Sequence, residues 1–128
     1  MKRIFCCGLS LLFLTLAPAW AADRHKTLQF TSACPALTID GSVIRGDRDV
    51  YHINAQEGHF LYIELSSLEH NGCLQVTSMA DNAPVPCTVE EKADGFTWAG
   101  ELTVSGAYNI TVSPCRGNCQ YHMVIKTI

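Results

Sequence analysis

Apolar and polar residues alternate with a period of two along most of this chain. Tyr51, Ile53 and Ala55 alternate with His52 and Asn54. Leu61, Ile63 and Leu65 alternate with Tyr62, Glu64 and Ser66. Tyr108, Ile110 and Val112 alternate with Asn109, Thr111 and Ser113, and Tyr121, Met123 and Ile125 alternate with His122, Val124 and Lys126. Successive side chains of a strand point to opposite faces, so each run predicts a half-buried strand. The β-branched and aromatic residue types suit such a surface. No stretch carries a convincing helical period.

Turn-forming pairs separate the runs: Asp40-Gly41, Arg45-Gly46-Asp47, Glu57-Gly58, Asn71-Gly72, Asp81-Asn82, Asp94-Gly95, Ser105-Gly106 and Gly117-Asn118. The pattern predicts strands near 27–31, 37–44, 49–55, 59–66, 73–78, 85–89, 96–103, 107–113 and 119–127, after a flexible start over 22–26. Short strands at roughly 8–12-residue spacing indicate a sandwich or barrel. The expected fold is all-β: a compact antiparallel, jelly-roll-like β-sandwich of about eight or nine short strands. Tyr108 is expected to pack inward.

The amino terminus differs from the rest. Met1, Lys2 and Arg3 give a basic start, and the uncharged run IFCCGLSLLFLTLAPAW follows. Ala19-Trp20-Ala21 then places small residues where a signal peptidase reads them. Residues 1–21 read as a signal peptide cut before Ala22 or one residue later, and 22–128 as one domain. No membrane span is expected after cleavage, so the product is expected to be periplasmic or secreted. Beyond the leader, 7 Lys and Arg face 12 Asp and Glu, a formal −5. That balance disfavours nucleic acid and anionic membranes as partners.

Export to an oxidising space makes disulfides the first expectation for Cys34, Cys73, Cys87, Cys115 and Cys119. Cys115 pairs with Cys119 and Cys73 with Cys87 if short loops decide, although five cysteines permit other connectivities. Cys34 is then left over, free in a monomer or linking a dimer.

Catalytic and metal chemistry find little support. The histidines, at 25, 52, 59, 70 and 122, show no ligand spacing, and no catalytic motif is present. Asp47 and Asp49 lie between Arg45 and Arg48 and read as a solvated, charge-compensated turn rather than a calcium site. No catalytic residue, metal or cofactor is expected. Two turns stand out. Ser105-Gly106-Ala107-Tyr108 feeds a strand. Cys115-Arg116-Gly117-Asn118-Cys119 offers Arg116 at a constrained tip, where little entropy is lost on binding. The alternative of a glycan-binding module requires an aromatic platform, with Trp98, Phe96 or Tyr62 as candidates.

The stretch GSVIRGDRDVYHINAQEGHFLYIELSS resembles the core of bacterial pre-peptidase C-terminal domains. GELTVSGAYNITVSPCRGNCQYHMVIKTI resembles their closing half. With LQF and IDGSVIRG ahead of it, the order is similar to that of the periplasmic inhibitors of g-type lysozyme. The resemblance implies a β-sandwich that binds a lysozyme-like hydrolase by inserting a loop into its substrate groove. It implies partner-binding roles for Arg116, Gly117 and Asn118 and for Ser105, Gly106 and Tyr108. Where that family has a longer basic loop with a second arginine, this chain has a five-residue turn bounded by cysteines. Asp47 stands where an aromatic residue is the family's habit.

Overall fold

A computed structural model describes residues 22–31 and 35–128; the leader and Cys34 lie outside the described residues. Nine strands form two sheets: β1 (Asp23–Thr27), β2 (Ala36–Val43), β3 (Arg48–Ala55), β4 (Phe60–Ser67), β5 (Gly72–Ser78), β6 (Thr88–Glu91), β7 (Gly95–Glu101), β8 (Gly106–Pro114) and β9 (Cys119–Thr127). One sheet has the order β1-β3-β8-β5 and the other β2-β9-β4-β7-β6. β1 pairs with β3 in parallel, and the other ladders are antiparallel. The fold is the expected all-β sandwich.

The alternation read from the sequence is the alternation of burial. Ile53, Leu61, Ile63, Leu65, Ile110, Val112, Met123 and Ile125 are essentially without solvent contact, and Tyr51, Tyr108, Tyr121 and Trp98 join them between the sheets. Burying such side chains stabilises the fold by about 1.5–3 kcal/mol each.

Two strands fall elsewhere than the sequence predicts. The first is β1 at Asp23–Thr27 rather than 27–31. All five of its residues are exposed, so it has no apolar signature. Leu28 and Phe30 do pack on the core, but from irregular chain beyond the strand. The sixth runs over Thr88–Glu91 instead of 85–89. The chain from Pro84 is instead drawn toward β5, where Thr77 bridges Pro84 and Val85 N donates to Val76 O at 2.9 Å.

Asp49 is buried rather than solvated. Its Oδ1 accepts from Arg24 Nε at 2.8 Å and its Oδ2 from Tyr121 OH at 2.6 Å. The Tyr51 and Tyr121 hydroxyls lie 2.5 Å apart. Arg24 also reaches the Ser42 carbonyl. This seam joins β1 and β3 of one sheet to β2 and β9 of the other. Burial pushes both phenols above their ordinary titration range. Each tyrosine is therefore held neutral, Tyr121 as a donor to the Asp49 carboxylate.

The cysteine pairing also differs. Cys73 bonds to Cys115, while Cys87 is exposed and free and Cys119 is buried and free. The reason is register. Cys73 lies opposite Ser113 in the β5–β8 ladder, and Cys115 is two residues further along the same chain. Their Cα atoms are 5.5 Å apart. Cys119, although near Cys115 in sequence, opens a strand of the other sheet and points into the core. Burial pushes its thiol up, which disfavours the reactive thiolate.

Candidate protein-binding site

Three connections meet at one end of the sandwich: 44–47 between β2 and β3, 68–71 between β4 and β5, and 115–118 between β8 and β9. Each passes from one sheet to the other. Asn71 sits among them, 3% exposed. Its Nδ2 donates to Arg116 O at 3.0 Å and Asn118 O at 2.9 Å, so both amide hydrogens hold the carbonyls of one loop. Its own N–H donates to Ser67 Oγ at 3.0 Å, and its carbonyl accepts from Cys115 N at 2.8 Å. The remaining turn is tied in by Arg45 N, which donates to Asn118 Oδ1 at 2.8 Å.

The 115–118 loop is therefore fixed from several sides. The disulfide holds its first residue to β5, Asn71 holds its middle, and the buried Cys119 holds its exit. Gly117 has φ +60°, a left-handed conformation that favours glycine. Arg116 lies on the outside. Its Nη2 donates to Glu69 O at 2.8 Å, an exposed contact that aims the guanidinium across the 68–71 turn.

The two neighbouring turns carry exposed apolar side chains, Leu68 at 92% and Ile44 at 56% exposure. A depression of about 300 Å³ runs between them, lined by Ser42, Ile44, Leu68, Glu69, Asn71, Asn118 and Gln120. The surface thus combines an oriented cation, two exposed hydrophobic contacts and a backbone with little freedom to lose. Such a surface suits docking against a protein.

Ser105, Gly106 and Tyr108 lie at the opposite end. β8 separates them from Arg116 by roughly 27 Å, at about 3.4 Å per residue. Tyr108 is buried, Ser105 and Gly106 are exposed, and both hydroxyls are bonded to neighbouring chain. Ser105 Oγ accepts from Glu57 N at 2.8 Å. Tyr108 OH donates to Val104 O and accepts from Val104 N at 3.3 Å. Gly106 has φ +147°. The structure does not bring the two predicted turns into one site.

The aromatic candidates do not form a platform either. Trp98 is 4% exposed in the core, and Phe96 packs against the same core. Tyr62 alone of the three faces out, with Lys126 Nζ 5.7 Å from its ring centre. Of the histidines, His25 and His52 meet each other, while His122 and His70 face carboxylates. His25 Nδ1 lies 2.9 Å from His52 Nε2, and His122 Nδ1 lies 2.6 Å from Asp40 Oδ1. Among the described residues no three metal-binding side chains converge.

Asn71, Leu68 and Ile44 were not singled out by the sequence. Asn71 appeared there only as half of an Asn-Gly turn. Its role depends on three segments meeting, and no local pattern carries that information.

No protein-family model and no curated protein sequence matches this chain. Solved structures do. A periplasmic lysozyme inhibitor of g-type lysozyme, PliG, from Aeromonas hydrophila superposes with a TM-score of 0.68 at 17% identity, covering 84% of this chain and 99% of that one. PliG of Salmonella Typhimurium gives 0.63 at 15% identity over 82% and 98%. The pre-peptidase C-terminal domain of a Bacillus anthracis collagenase gives 0.55 at 20% identity over 81% and 94%. At these identities the likeness establishes the fold. The chain has the β-sandwich architecture of the g-type lysozyme inhibitors and of pre-peptidase C-terminal domains.

Proposed function

We propose that this chain is an exported protein inhibitor of a g-type-like lysozyme or related cell-wall muramidase. It acts in the periplasm or after secretion, and by binding rather than by catalysis. The observation that carries this reading is the braced loop presenting Arg116 beside Leu68 and Ile44. Glycoside hydrolases work with paired carboxyl groups in a groove. A guanidinium held on a rigid loop can pair with such a carboxylate in bidentate fashion. The loop then occupies the groove, while the two apolar side chains exclude water around the pair. The PliG structures of the same fold support this choice of partner.

Inhibition assays with g-, c- and i-type lysozymes test it. The protein should inhibit a g-type enzyme. Arg116→Ala should weaken inhibition well over tenfold, since truncating one member of a buried charge pair costs on the order of 2–5 kcal/mol. Absence of inhibition across the panel overturns the partner. Inhibition unaffected by Arg116→Ala overturns the site. An immunity protein against a delivered cell-wall hydrolase would use the same surface. A glycan- or envelope-binding accessory module would instead be retained on peptidoglycan without enzyme.

A further inference from the structure

The same end of the sandwich holds the first described residue. Ala22 N lies 3.0 Å from Asp47 Oδ1, and Arg48 N donates to Ala22 O at 2.9 Å. Asp47 belongs to the 44–47 turn, whose neighbour Arg45 is bonded to the Arg116 loop through Asn118. β1 follows at once. It buries no apolar side chain, so its docking rests on the ladder to β3 and on polar ties. Arg48 grips Asp23 with two bonds of 2.8 and 2.7 Å, Arg24 meets Asp49, and His25 meets His52.

In the full-length chain the Ala22 nitrogen is an amide carrying one hydrogen. The sequence Ala19-Trp20-Ala21 places a signal-peptidase cut directly before that atom. We propose that processing falls between Ala21 and Ala22 and that the α-ammonium it creates seats on the Asp47 carboxylate. Water, delivered by the export peptidase, hydrolyses the Ala21–Ala22 peptide bond. Ala21 leaves as a carboxylate and Ala22 becomes an ammonium. The cut converts an amide-to-carboxylate hydrogen bond into an ammonium–carboxylate ion pair on the same two atoms. It thereby completes the docking of β1 and braces the turn beside the Arg116 loop. Cleavage one residue later would delete both the nitrogen facing Asp47 and the carbonyl facing Arg48. Cleavage one residue earlier would leave Ala22 an amide.

The mass of the exported protein tests the cut, and an N-terminal modification tests the seat. Protein starting at Ala22 is compared free and N-acetylated, each with Asp47 intact and as Asp47→Asn. Asparagine keeps one acceptor oxygen and removes the charge. The exported species should begin at Ala22. Acetylation should speed amide exchange along β1 by about 2–5-fold, the scale of one exposed ion pair. Asp47→Asn should abolish that difference. A terminus at any other residue overturns the proposal. So does an acetylation effect that is absent, or equally large in Asp47→Asn.

Discussion

At the Arg116 end, the turns 44–47, 68–71 and 115–118 pass between the sheets, tied together by a buried asparagine and a disulfide. At the far end, 56–59 and 102–105 also pass between the sheets. They are joined by Gly58 N to Leu102 O at 2.8 Å, Leu102 N to His59 O at 2.8 Å and Glu57 N to the Ser105 hydroxyl at 2.8 Å, while the Tyr108 hydroxyl holds Val104 within the second of them. Both ends expose apolar side chains, Leu68 and Ile44 at one and Val104 and Phe60 at the other. They differ in the charged groups they carry. The first has Arg45 and Arg116 together with Asp47 and Glu69, whereas 56–59 and 102–105 contain no lysine or arginine and include Glu57. The comparison separates two jobs that a shared turn vocabulary hides. At the far end the polar groups are consumed in joining the turns. At the near end Asn71 joins the turns from beneath, and the Arg116 guanidinium lies outside, on the Glu69 carbonyl.

The largest test of that division is the disulfide. Cross-linking across a sequence separation of 42 residues corresponds to about 4 kcal/mol in the chain-entropy account. Cys73→Ser with Cys115→Ser should lower urea stability by that order. In partly destabilising conditions, exchange of the amide at position 115 should rise before that of Leu102. Equal loosening of both ends would erase the distinction.

Asn71→Ala comes next. It leaves the Arg116 and Asn118 carbonyls without their donor, at about 1–3 kcal/mol in a denaturation experiment. It should also weaken partner binding, although Asn71 itself is buried. Tyr108→Phe removes the hydroxyl from Val104 and should cost about 1 kcal/mol. Its binding should be unchanged, and a binding defect there would extend the recognition surface to the far end.

Arg116→Ala should shift stability by less than about 0.5 kcal/mol, as expected for an exposed side chain. The smallest effect concerns acid. The bond from Arg48 lowers the Asp23 carboxyl below its ordinary value of 3.8. A lowered carboxyl contributes stability that is present above that value and lost as pH falls through the folded-state value. Exchange of β1 amides should therefore quicken below about pH 4, ahead of global unfolding.

The core was legible because burial in a two-layer sandwich is written as alternation, and every alternating run named from the sequence became a buried strand face. β1 was not, because ion pairs and main-chain bonds hold it, and neither leaves a hydrophobic period. The cysteine pairing was missed for a related reason. Nearness along the chain favoured Cys119 for Cys115, whereas cross-strand register brought Cys73. Arg116 could be found as a loop tip. The asparagine beneath it could not, because its partners come from a segment more than 40 residues away.

β1 has a further consequence. Without it, the outer side of β3 would present a row of unpaired N–H and C=O groups, a ready template for strands of other molecules. A short, charged, exposed strand laid alongside closes that template and offers little for another chain to extend. A version shortened to begin after Thr27 should therefore fail by self-association, with its apolar interior still intact.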